Sequence, residues 1–515
     1  MASVADRAAL AAAVSFLVTG WLLGNADPAE VAAAATAATE PSAVVAPAPT
    51  APATTADNRS TPAPAATPAP TESETAEPLL TFRGNATRTA YGTGPIGPAA
   101  HVEWAYPDRD LCAESTVGEE TKTWCGTGWT GQPAVFTRDG RTWVVVGTYD
   151  RGIHFIDGHT GRAILPPFMT GDIIKGSVTV DPDGYPIVYS GSRDGRYRAI
   201  AFDGESPREL FAITAADATG PTMWNDDWDG AGLVVDDHLV VGGENSRLFV
   251  ARLDRGYDQD GAVTLQAQVI ADVAGWDEQL LADVGDRNMS IEGSVAIHDG
   301  TVYFANSGGL VQGWALDSLI GGGEPRRTFR WWLGDDADAS VVIDEVTGHL
   351  IVAAEWERHT ARSREVGQVV RLDPSDPEDP MVWGAHDPQA LSGVDVAGVW
   401  ATPALWQNLV VVPTTSGRLL GLDAGSGVTR WTVDLGDHLW SSPVIVDDVL
   451  LQGDCAGTLH AFDLEGVAQP RPRWTVSLGG GCIESTPAVW DGRLYVGTRA
   501  GRIIGVDLQG GPPSG

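Results

Sequence analysis

The sequence predicts an all-β fold, an eight-bladed β-propeller with four strands in each blade, from two observations. The first is a repeat with intervals of about 40 to 63 residues, in which a strand-like run ends in an apolar residue followed by Asp. The second is the content of each unit: three Val- and Leu-rich runs separated by Asp, Asn and Gly turns, then a run carrying Trp. The repeated aspartates are Asp157, Asp203, Asp254, Asp317, Asp373, Asp423, Asp463 and Asp507.

The composition indicates an acidic, folded protein and excludes nucleic-acid binding. The 515 residues include 68 acidic and 33 basic side chains, which gives a formal net charge of −35, and 43% are hydrophobic. A chain with this much apolar side chain can bury a large core and is not disordered as a whole. Nucleic-acid binding needs clustered Lys and Arg, whereas the lysines here are Lys122 and Lys175 alone.

The N-terminus predicts export. Arg7 precedes an apolar stretch over residues 8–23, which is short for a membrane span of about 20 residues and suits a signal peptide. Residues 1–26 are therefore interpreted as a signal peptide or, if retained, as a membrane anchor. Residues 27–78 are rich in Ala, Pro and Thr and predict a disordered linker that would tether the following domain. The expected location is extracellular, at the cell surface or periplasmic.

The clearest copies of the repeat are residues 402–423, 442–463 and 486–507. Units of about 50 residues with four short strands are typical of a propeller, and a linear β-solenoid is the structural alternative.

Ring closure is predicted from the two ends of the repeat array. After Asp507 eight residues remain, so the last blade lacks its fourth strand, while an unassigned strand with Trp104 precedes the first blade. Placing that strand on the last blade would remove an exposed sheet edge. We therefore expect a monomeric propeller over residues 101–508, an irregular strap over 79–100 and a flexible tail over 509–515.

The four cysteines predict two disulfides, as expected for an exported protein. Cys455 falls in the second turn of blade 7 and Cys482 in the loop that enters blade 8, so both belong to the same face. Cys112 and Cys125 flank one loop before blade 1. The predicted pairs are Cys112–Cys125 and Cys455–Cys482. A zinc site is the alternative, although the sequence contains no Cys-x-x-Cys spacing.

The repeat register predicts which side chains meet around the central channel. In a propeller the loops that enter the innermost strands and the turns between second and third strands lie on one face, here called the channel face. The entering loops contribute Thr130, Lys175, Asp229, Glu292, Asp338, Trp400, Trp440 and Glu484. The turns contribute Tyr149, Ser192, Glu244, Asn306, Thr414, Asp454 and Thr498, with an ambiguous position near Glu355.

Acidic residues of blades 3 to 5 are expected on one side of this rim. They are Glu244, Glu292, Asp336 and Asp338, together with Asn306. Lys175, Arg193, Trp400 and Trp440 are expected across the ring. Asp229, Asp454 and Glu484 complete the rim.

Clustered carboxylates repel one another and lose hydration, so they need a cation, a basic ligand or water. Carboxylate and Asn oxygens suit calcium, which makes Glu244, Glu292 and Asn306 candidate metal ligands. The alternative is that these acids are solvated loop residues of a strongly acidic chain. Residues 355–366 are interpreted as a solvated loop, and the repeated aspartates as turn formers.

The repeat resembles that of the quinoprotein-like propellers. Asp423, Gly427 and Trp431 match the pattern Asp-x-x-Thr/Ser-Gly-x-x-x-Trp, as do Asp157, Thr160 and Gly161 more weakly. The resemblance extends over about 400 residues. That superfamily includes pyrroloquinoline quinone (PQQ)-dependent alcohol dehydrogenases and a noncatalytic outer-membrane assembly propeller.

For the dehydrogenases, the resemblance implies a set of roles. PQQ would stack over Trp400 or Trp440, with Lys175 or Arg193 as a cation beside it. Calcium would be held by Glu244 or Glu292 with Asn306, and Asp336 or Asp338 would be the catalytic base. The sequence departs from many of those enzymes because it has no adjacent Cys pair and no Cys-x-x-Cys-His haem site.

Two functional classes follow, and the sequence leaves open whether the protein is an enzyme. The first is an exported, tethered, noncatalytic propeller that binds a protein, a glycan or a small ligand at the channel face. The second is a PQQ- and calcium-dependent dehydrogenase that oxidises alcohols or sugars. The absence of a compact nucleophile–base motif in the sequence favours the first.

Overall fold

The computed structural model describes residues 76–117, 120–128, 131–390, 397–466 and 468–510. The predicted signal or anchor segment, the linker up to residue 75, Thr130 and the end of the tail lie outside these residues.

The described chain forms eight four-stranded antiparallel sheets, in the order that the repeat predicts. First strands of neighbouring blades contact one another, as between blades 4 and 5, 6 and 7, and 8 and 1, so the first strands surround the channel. The strands of blades 1 to 4 are, in chain order, β4 Ala134–Arg138, β5 Arg141–Gly147, β6 Gly152–Asp157 and β7 Ala163–Met169; β8 Thr179–Val180, β9 Ile187–Ser190, β10 Tyr197–Ala201 and β11 Arg208–Ile213; β12 Leu233–Val235, β13 His238–Gly243, β14 Arg247–Tyr257 and β15 Val263–Ala274; β16 Ala296–His298, β17 Thr301–Phe304, β18 Leu310–Ala315 and β19 Arg327–Trp332.

Blades 5 to 8 follow the same pattern. Their strands are β20 Val342–Ile343, β21 Leu350–Ala353, β22 Val369–Leu372 and β23 Met381–Ala385; β24 Ala404–Trp406, β25 Leu409–Pro413, β26 Arg418–Asp423 and β27 Thr429–Asp434; β28 Val444–Val446, β29 Val449–Gly453, β30 Thr458–Asp463 and β31 Arg471–Ser477; and β32 Ala488–Trp490, β33 Arg493–Thr498 and β34 Arg502–Asp507, with β1 His101–Tyr106 as the fourth strand of blade 8.

The predicted ring closure is confirmed. Strand β1 pairs antiparallel with β34, His101 opposite Asp507 and Tyr106 opposite Ile503. The first ordered strand thus completes the last blade and covers the edge that β34 would otherwise expose.

Both predicted disulfides are also confirmed, as Cys112–Cys125 and Cys455–Cys482. The first joins directly opposed residues of a hairpin, β2 Cys112–Val117 and β3 Glu120–Cys125, which the repeat did not predict.

In the described segments, three short helices interrupt the blades. They are α1 Glu278–Val284, capped by the Asp277 carboxylate, α2 Leu316–Ile320, and α3 Ala361–Val366, capped by the Thr360 hydroxyl. A 3₁₀ turn covers Ala215–Asp217. Among the described residues, no helix combines the length and apolar character needed to cross a bilayer.

The repeated Asp, Gly and Trp join neighbouring blades. Trp383 of blade 5 donates its indole N–H to the carbonyl of Ala424 in blade 6, at 2.9 Å. The same turn places Gly427 under the Trp383 ring, where an added Cβ would lie 2.7 Å from the indole. Asp423 shapes the turn by accepting backbone N–H groups from Gly425 and Ser426. The motif is therefore structural, which is why it predicts the fold.

Two of the repeated aspartates do not form turns between strands, and one of them, Asp317, lies in α2. Asp254 lies inside β14 of the long β14–β15 hairpin and pairs across the sheet with Gln266, so its prediction as a turn former was wrong. Asp157 and Asp373, by contrast, accept backbone N–H groups of the residues that follow them.

The strap contacts every blade at or just before its first strand. Its backbone pairs with first strands through Leu79, Leu80, Ala86, Thr87 and Thr93, in blades 1, 2, 4, 5 and 8 respectively. Arg83 and Arg88 are fully buried and reach the remaining blades. Arg88 donates to the carbonyls of Ala231 and Val295, and Arg83 to those of Thr402, Pro403 and Pro443.

Candidate ligand-binding site on the channel face

Lys175 holds one group of carboxylates together on the channel face. Its Nζ lies 3.1 Å from Asp227 Oδ2, 2.6 Å from Asp229 Oδ2 and 2.7 Å from Glu244 Oε1. Arg193 adds a bond from Nε to Asp227 Oδ2 at 2.8 Å. We call these five residues the lysine side of the channel. Lys175 and Arg193 thus lie against the acids of blade 3, and the prediction that they lie across the ring was wrong.

The lysine side combines two cations with three carboxylates. Burial lowers the pKa of Lys175, but the surrounding carboxylates outweigh it and hold that pKa well above its usual range. Burial raises the pKa of Asp229, and its carboxylate neighbours raise it further against the effect of Lys175. Burial also raises the pKa of Asp227, but Lys175 and Arg193 outweigh it and lower the pKa. Lys175 is therefore an internal counterion.

The disulfide-bonded hairpin β2–β3 contributes Trp124 to the same region. The guanidinium of Arg193 lies 5.6 Å from the Trp124 ring and that of Arg499 lies 5.2 Å from it. Arg499 also lies 4.8 Å from the Tyr149 ring and pairs with Glu484 at 3.2 Å. Sequence reasoning missed Trp124; its position beside Cys125, in a loop tied down by a disulfide, was the available signal.

A second group of carboxylates lies at blades 4 and 5. Asp336 and Asp338 are buried, Glu292 and Glu355 are half-buried, and Glu357 is exposed. We call these five residues the acidic side of the channel. Burial and mutual repulsion raise the pKa of Asp336, Glu292 and Glu355 well above the usual range. Ionising the acids of the acidic side therefore costs free energy.

Asp335 builds the loop that brings Glu355 and Glu357 to this position. Its carboxylate accepts backbone N–H groups from Glu357, Arg358 and His359. The Arg358 side chain is directed to Asp286 Oδ2 and to the Ser307 carbonyl. Asp335 is therefore a structural residue, and the acids of the loop remain directed to the channel.

An aromatic wall adjoins the acidic side. Trp400 donates its indole N–H to Asp338 Oδ2 at 3.0 Å. Trp440 meets Trp400 edge to face with ring centroids 4.8 Å apart, and its own face is stacked on His438 at 5.0 Å. The predicted tryptophans thus lie beside Asp338, on the acidic side itself.

Two predicted rim residues are hydrogen-bonded to other groups of the protein. Asn306 donates its amide to the Gly275 carbonyl at 2.6 Å and accepts the Leu310 N–H at 2.8 Å. Asp454 accepts from His460 Nε2 at 2.7 Å and from the Thr458 N–H at 2.8 Å. Both are buried parts of turns between second and third strands.

The interpretation of residues 355–366 as a solvated loop was wrong in part. Trp356, Ser363 and Val366 are buried, and α3 forms here, whereas Glu357 and His359 are exposed. The alternating charges of this segment did not indicate the helix cap at Thr360 or the half-buried position of Glu355. The repeat register gave only an ambiguous position here because blade 5 carries this insertion.

Some of the donor groups that the resemblance assigns to calcium and PQQ are already used within the protein. Asp227, Asp229 and Glu244 bring carboxylate oxygens within 4.8 Å of one another, a metal-like spacing, but Lys175 Nζ is bonded to all three. The second Glu244 oxygen accepts from Asn225 at 2.6 Å. The Asn306 oxygen accepts the Leu310 N–H, and Trp440 is stacked on His438, whereas Glu292 accepts from the Ser290 hydroxyl and is bonded to no cation among the described residues.

The fold is shared with solved structures of low sequence identity. The quinohemoprotein alcohol dehydrogenase of Comamonas testosteroni has a TM-score of 0.55 at 14% identity, covering 85% of this chain and 82% of that chain. BamB from Moraxella catarrhalis has a TM-score of 0.50 at 14% identity, covering 73% and 94% respectively. A europium-containing methanol dehydrogenase has a TM-score of 0.54 at 14% identity, covering 82% and 89%.

No protein-family model matches this sequence, and no curated protein matches it. Identity of 14% to the solved structures establishes a common fold and no common activity. The chain therefore has the eight-bladed PQQ-like β-propeller fold that its Asp, Gly and Trp repeat predicts.

Proposed function

We propose that this protein is a noncatalytic binding propeller whose ligand occupies the acidic side of the channel face. The observation that carries the proposal is the uneven charge balance of the rim. The lysine side contains its own counterions, whereas Asp336 and Asp338 are buried among further carboxylates. Buried carboxylates that repel one another are stabilised when a group of opposite charge or a hydrogen-bond donor binds among them, and a ligand would supply that group.

The geometry supports binding more than dehydrogenation. Of the predicted calcium ligands, Glu244 is bonded to Lys175 and Asn225, and Asn306 to the Gly275 carbonyl and the Leu310 N–H. Asp338, one of the two candidate bases, is bonded to the Trp400 indole rather than directed at an open reaction centre. We derive no catalytic step from this arrangement.

Export remains part of the proposal. Two disulfides on the channel-facing loops suit an oxidising compartment, in agreement with the predicted signal or anchor segment. A tethered, disulfide-braced scaffold would present the channel face to a protein, glycan or small ligand outside the cytoplasm.

Cofactor loading separates the two functional classes. The purified chain is mixed with calcium and PQQ, separated from free cofactor and examined by absorbance and by dye-coupled oxidation of alcohols and aldoses. We expect no co-purifying PQQ, no turnover and an unchanged Tm. A ligand at 100 times its Kd would add about 2.7 kcal/mol of stability, so uptake would be visible as a raised Tm. Stoichiometric PQQ with turnover would establish the dehydrogenase instead.

The binding site itself is tested with a ligand panel of oligosaccharides, peptides and amines. We expect at least one class to raise the Tm, and the double variant Asp336→Asn/Glu355→Gln to abolish that rise. Asp226→Asn is the matched control, because Asp226 is an exposed acid on the lysine-side loop of the same face. If the ligand raises the Tm equally in both variants, it does not bind at the acidic side.

A further inference from the structure

We propose that the acidic side binds an organic cation, a compound bearing a primary ammonium, amidinium or guanidinium group. This inference rests on the proposed function and specifies the chemical class of the ligand. It starts from Asp336, whose side chain is 4% exposed and whose Oδ1 has no hydrogen-bond donor among the described residues. The charged neighbours of Asp336 are the carboxyls of Asp338, Glu292, Glu355 and Glu357 and one cation, the guanidinium of Arg358, so acids outnumber the cation around this acceptor.

A buried carboxylate oxygen without a donor is costly, and each neighbouring carboxylate increases the cost. A neutral hydrogen-bond donor would satisfy Oδ1 but leave the repulsion in place. A ligand cation with N–H groups supplies both the hydrogen bond and the opposite charge. Charge and hydrogen-bond demand therefore favour the same ligand group.

The lysine side is an internal example of this chemistry. There the carboxylates of Asp227, Asp229 and Glu244 surround one ammonium group, the Nζ of Lys175. Glu292 and Asp338 occupy the positions in blades 4 and 5 that correspond to Lys175 and Asp229 in blades 2 and 3. The lysine side thus has two cations, Lys175 and Arg193, for three acids, whereas on the acidic side Arg358 lies near five acids.

The spacing of the acids favours an extended organic cation over a compact metal ion. Of the residues that the structure describes, only the lysine-side acids bring three ligand oxygens within 4.8 Å of one another. The described acids of the acidic side do not bring three ligand oxygens this close together. Separate N–H groups on an amidinium or guanidinium can reach carboxylates that one small ion cannot contact together.

The aromatic wall suits the carbon skeleton of such a ligand. Trp400 is bonded to Asp338, which places indole surface beside the carboxylates. Trp440 adjoins it at 4.8 Å. A cation near an indole face gains a further attraction, and the apolar part of the ligand would be covered by the rings. Half-buried Glu292 and Glu355 leave the acidic side accessible from solvent.

The probes are benzylammonium and benzamidinium, with benzyl alcohol as the neutral counterpart. Binding to the full chain is measured by isothermal titration calorimetry in about 0.15 M salt, where the Debye length of about 8 Å suppresses general attraction to an acidic surface. We expect one-to-one binding of at least one cation and none of benzyl alcohol. Asp336→Asn should weaken the cation at least tenfold, Trp440→Phe severalfold, and Asp226→Asn less than twofold.

The outcomes distinguish this inference from the proposed function. Equal binding of benzyl alcohol, or cation binding unchanged in Asp336→Asn, would overturn the organic-cation class. Binding of calcium alone, lost in Asp336→Asn, would assign the acidic side to a metal and also overturn it. If neither cation binds but a glycan or peptide raises the Tm in an Asp336-dependent manner, the inference fails and the proposed function stands. If no panel member responds, both fail. Melting curves of each variant verify folding.

Discussion

Lys175 is the residue on which the charge balance of the lysine side depends. Three carboxylates contact its ammonium group within 3.1 Å, and its side chain is only 10% exposed. Buried ion pairs contribute little net stability compared with apolar packing, but removing one partner leaves unpaired buried charge. The residue is therefore both an internal counterion and the reason that the Asp227 carboxyl keeps a low pKa.

Lys175→Met tests this role. The substitution keeps the length of the side chain but leaves three buried acids without their ammonium, so we expect a loss of about 3 to 5 kcal/mol in unfolding free energy. Urea denaturation measures it. Lys122→Met, at an exposed position of the hairpin, is the control and should change stability by less than about 0.5 kcal/mol. A loss below 1 kcal/mol at Lys175 would show that water replaces the ammonium.

At the scale of elements, blades are joined by the contact of a fourth-strand Trp with the turn of the next blade. The closing contact has the same form as the internal one: Trp104 donates to the Gly158 carbonyl at 3.0 Å, as Trp383 does to that of Ala424. Trp474 of blade 7 instead donates to Gly97 of the strap at 3.2 Å. In this contact the strap thus takes the position that a turn of the next blade has in the others.

Gly427→Ala tests the inter-blade contact. The residue has a φ of +71°, and a Cβ would lie 2.7 Å from the Trp383 ring, so backbone strain and overpacking both act. We expect a loss of about 2 to 4 kcal/mol in unfolding free energy. Gly436→Ala is the matched control: its φ is +82° with nothing within 4 Å of a Cβ, so only the backbone strain of about 1 kcal/mol should appear. Equal losses would mean that Trp383 moves aside without cost.

The strap is the second element that unites the ring. Arg83 and Arg88 are buried, and within the described part of the chain they donate to backbone carbonyls rather than to a carboxylate. Burial lowers the pKa of Arg83 to about 10 and that of Arg88 to about 9, so both stay charged at neutral pH. Carbonyls of residues directly before the first strands, with that of Phe82 in the strap, therefore accept from the two guanidinium groups.

Arg88→Met tests this arrangement. The variant leaves the carbonyls of Phe82, Val295 and Ala231 without their donor inside the protein, and we expect a loss of about 3 kcal/mol or more. Limited proteolysis within residues 79–100 should accelerate as well. Arg326→Met removes a surface ion pair with Asp317 and is the control, expected to cost less than about 1 kcal/mol. Unchanged cleavage of the strap would show that its backbone pairing suffices.

At the scale of the whole molecule, the ring collects carboxylates from blades that are far apart in sequence. Burial and repulsion raise the pKa of Asp229, Glu292, Asp336 and Glu355. In the unfolded chain these groups ionise near their ordinary values of 3.8 for Asp and 4.5 for Glu. At these four groups the folded protein therefore binds more protons than the unfolded chain above about pH 4.

Stability should consequently decrease as pH rises. For an acid with a raised pKa in the folded state, stability is present below the unfolded pKa and is lost as pH rises through the folded value. We expect the Tm to be lower at pH 8 than at pH 5, measured by calorimetry at constant ionic strength. Asp336→Asn/Glu355→Gln should reduce the slope, and Asp226→Asn should not. A Tm that rises over this range would show that the acidic side is ionised without cost.

The sequence by itself determined the blade count, the ring closure and both disulfides. Each depends on local periodicity, because short apolar strands, turn residues and Trp recur at similar places in the units. Aligning the units from Asp157 to Asp507 therefore predicts the equivalent positions of all eight blades. It also placed Asp338, Trp400 and Trp440 on one face, because the residue before a first strand has the same location in each blade.

The tertiary structure alone decided which of these side chains meet. Lys175 pairs with Asp229 because the two lie on neighbouring blades, and the side-chain reach that joins them is not encoded in the repeat. Asn306 donates its amide to the Gly275 carbonyl. Glu355 lies near Asp338 because an insertion interrupts the repeat register in blade 5. Arg88 belongs to the strap, which lies outside the repeat. Periodicity fixes where backbones lie, whereas charge pairing depends on distances of a few ångströms between residues that are distant in sequence.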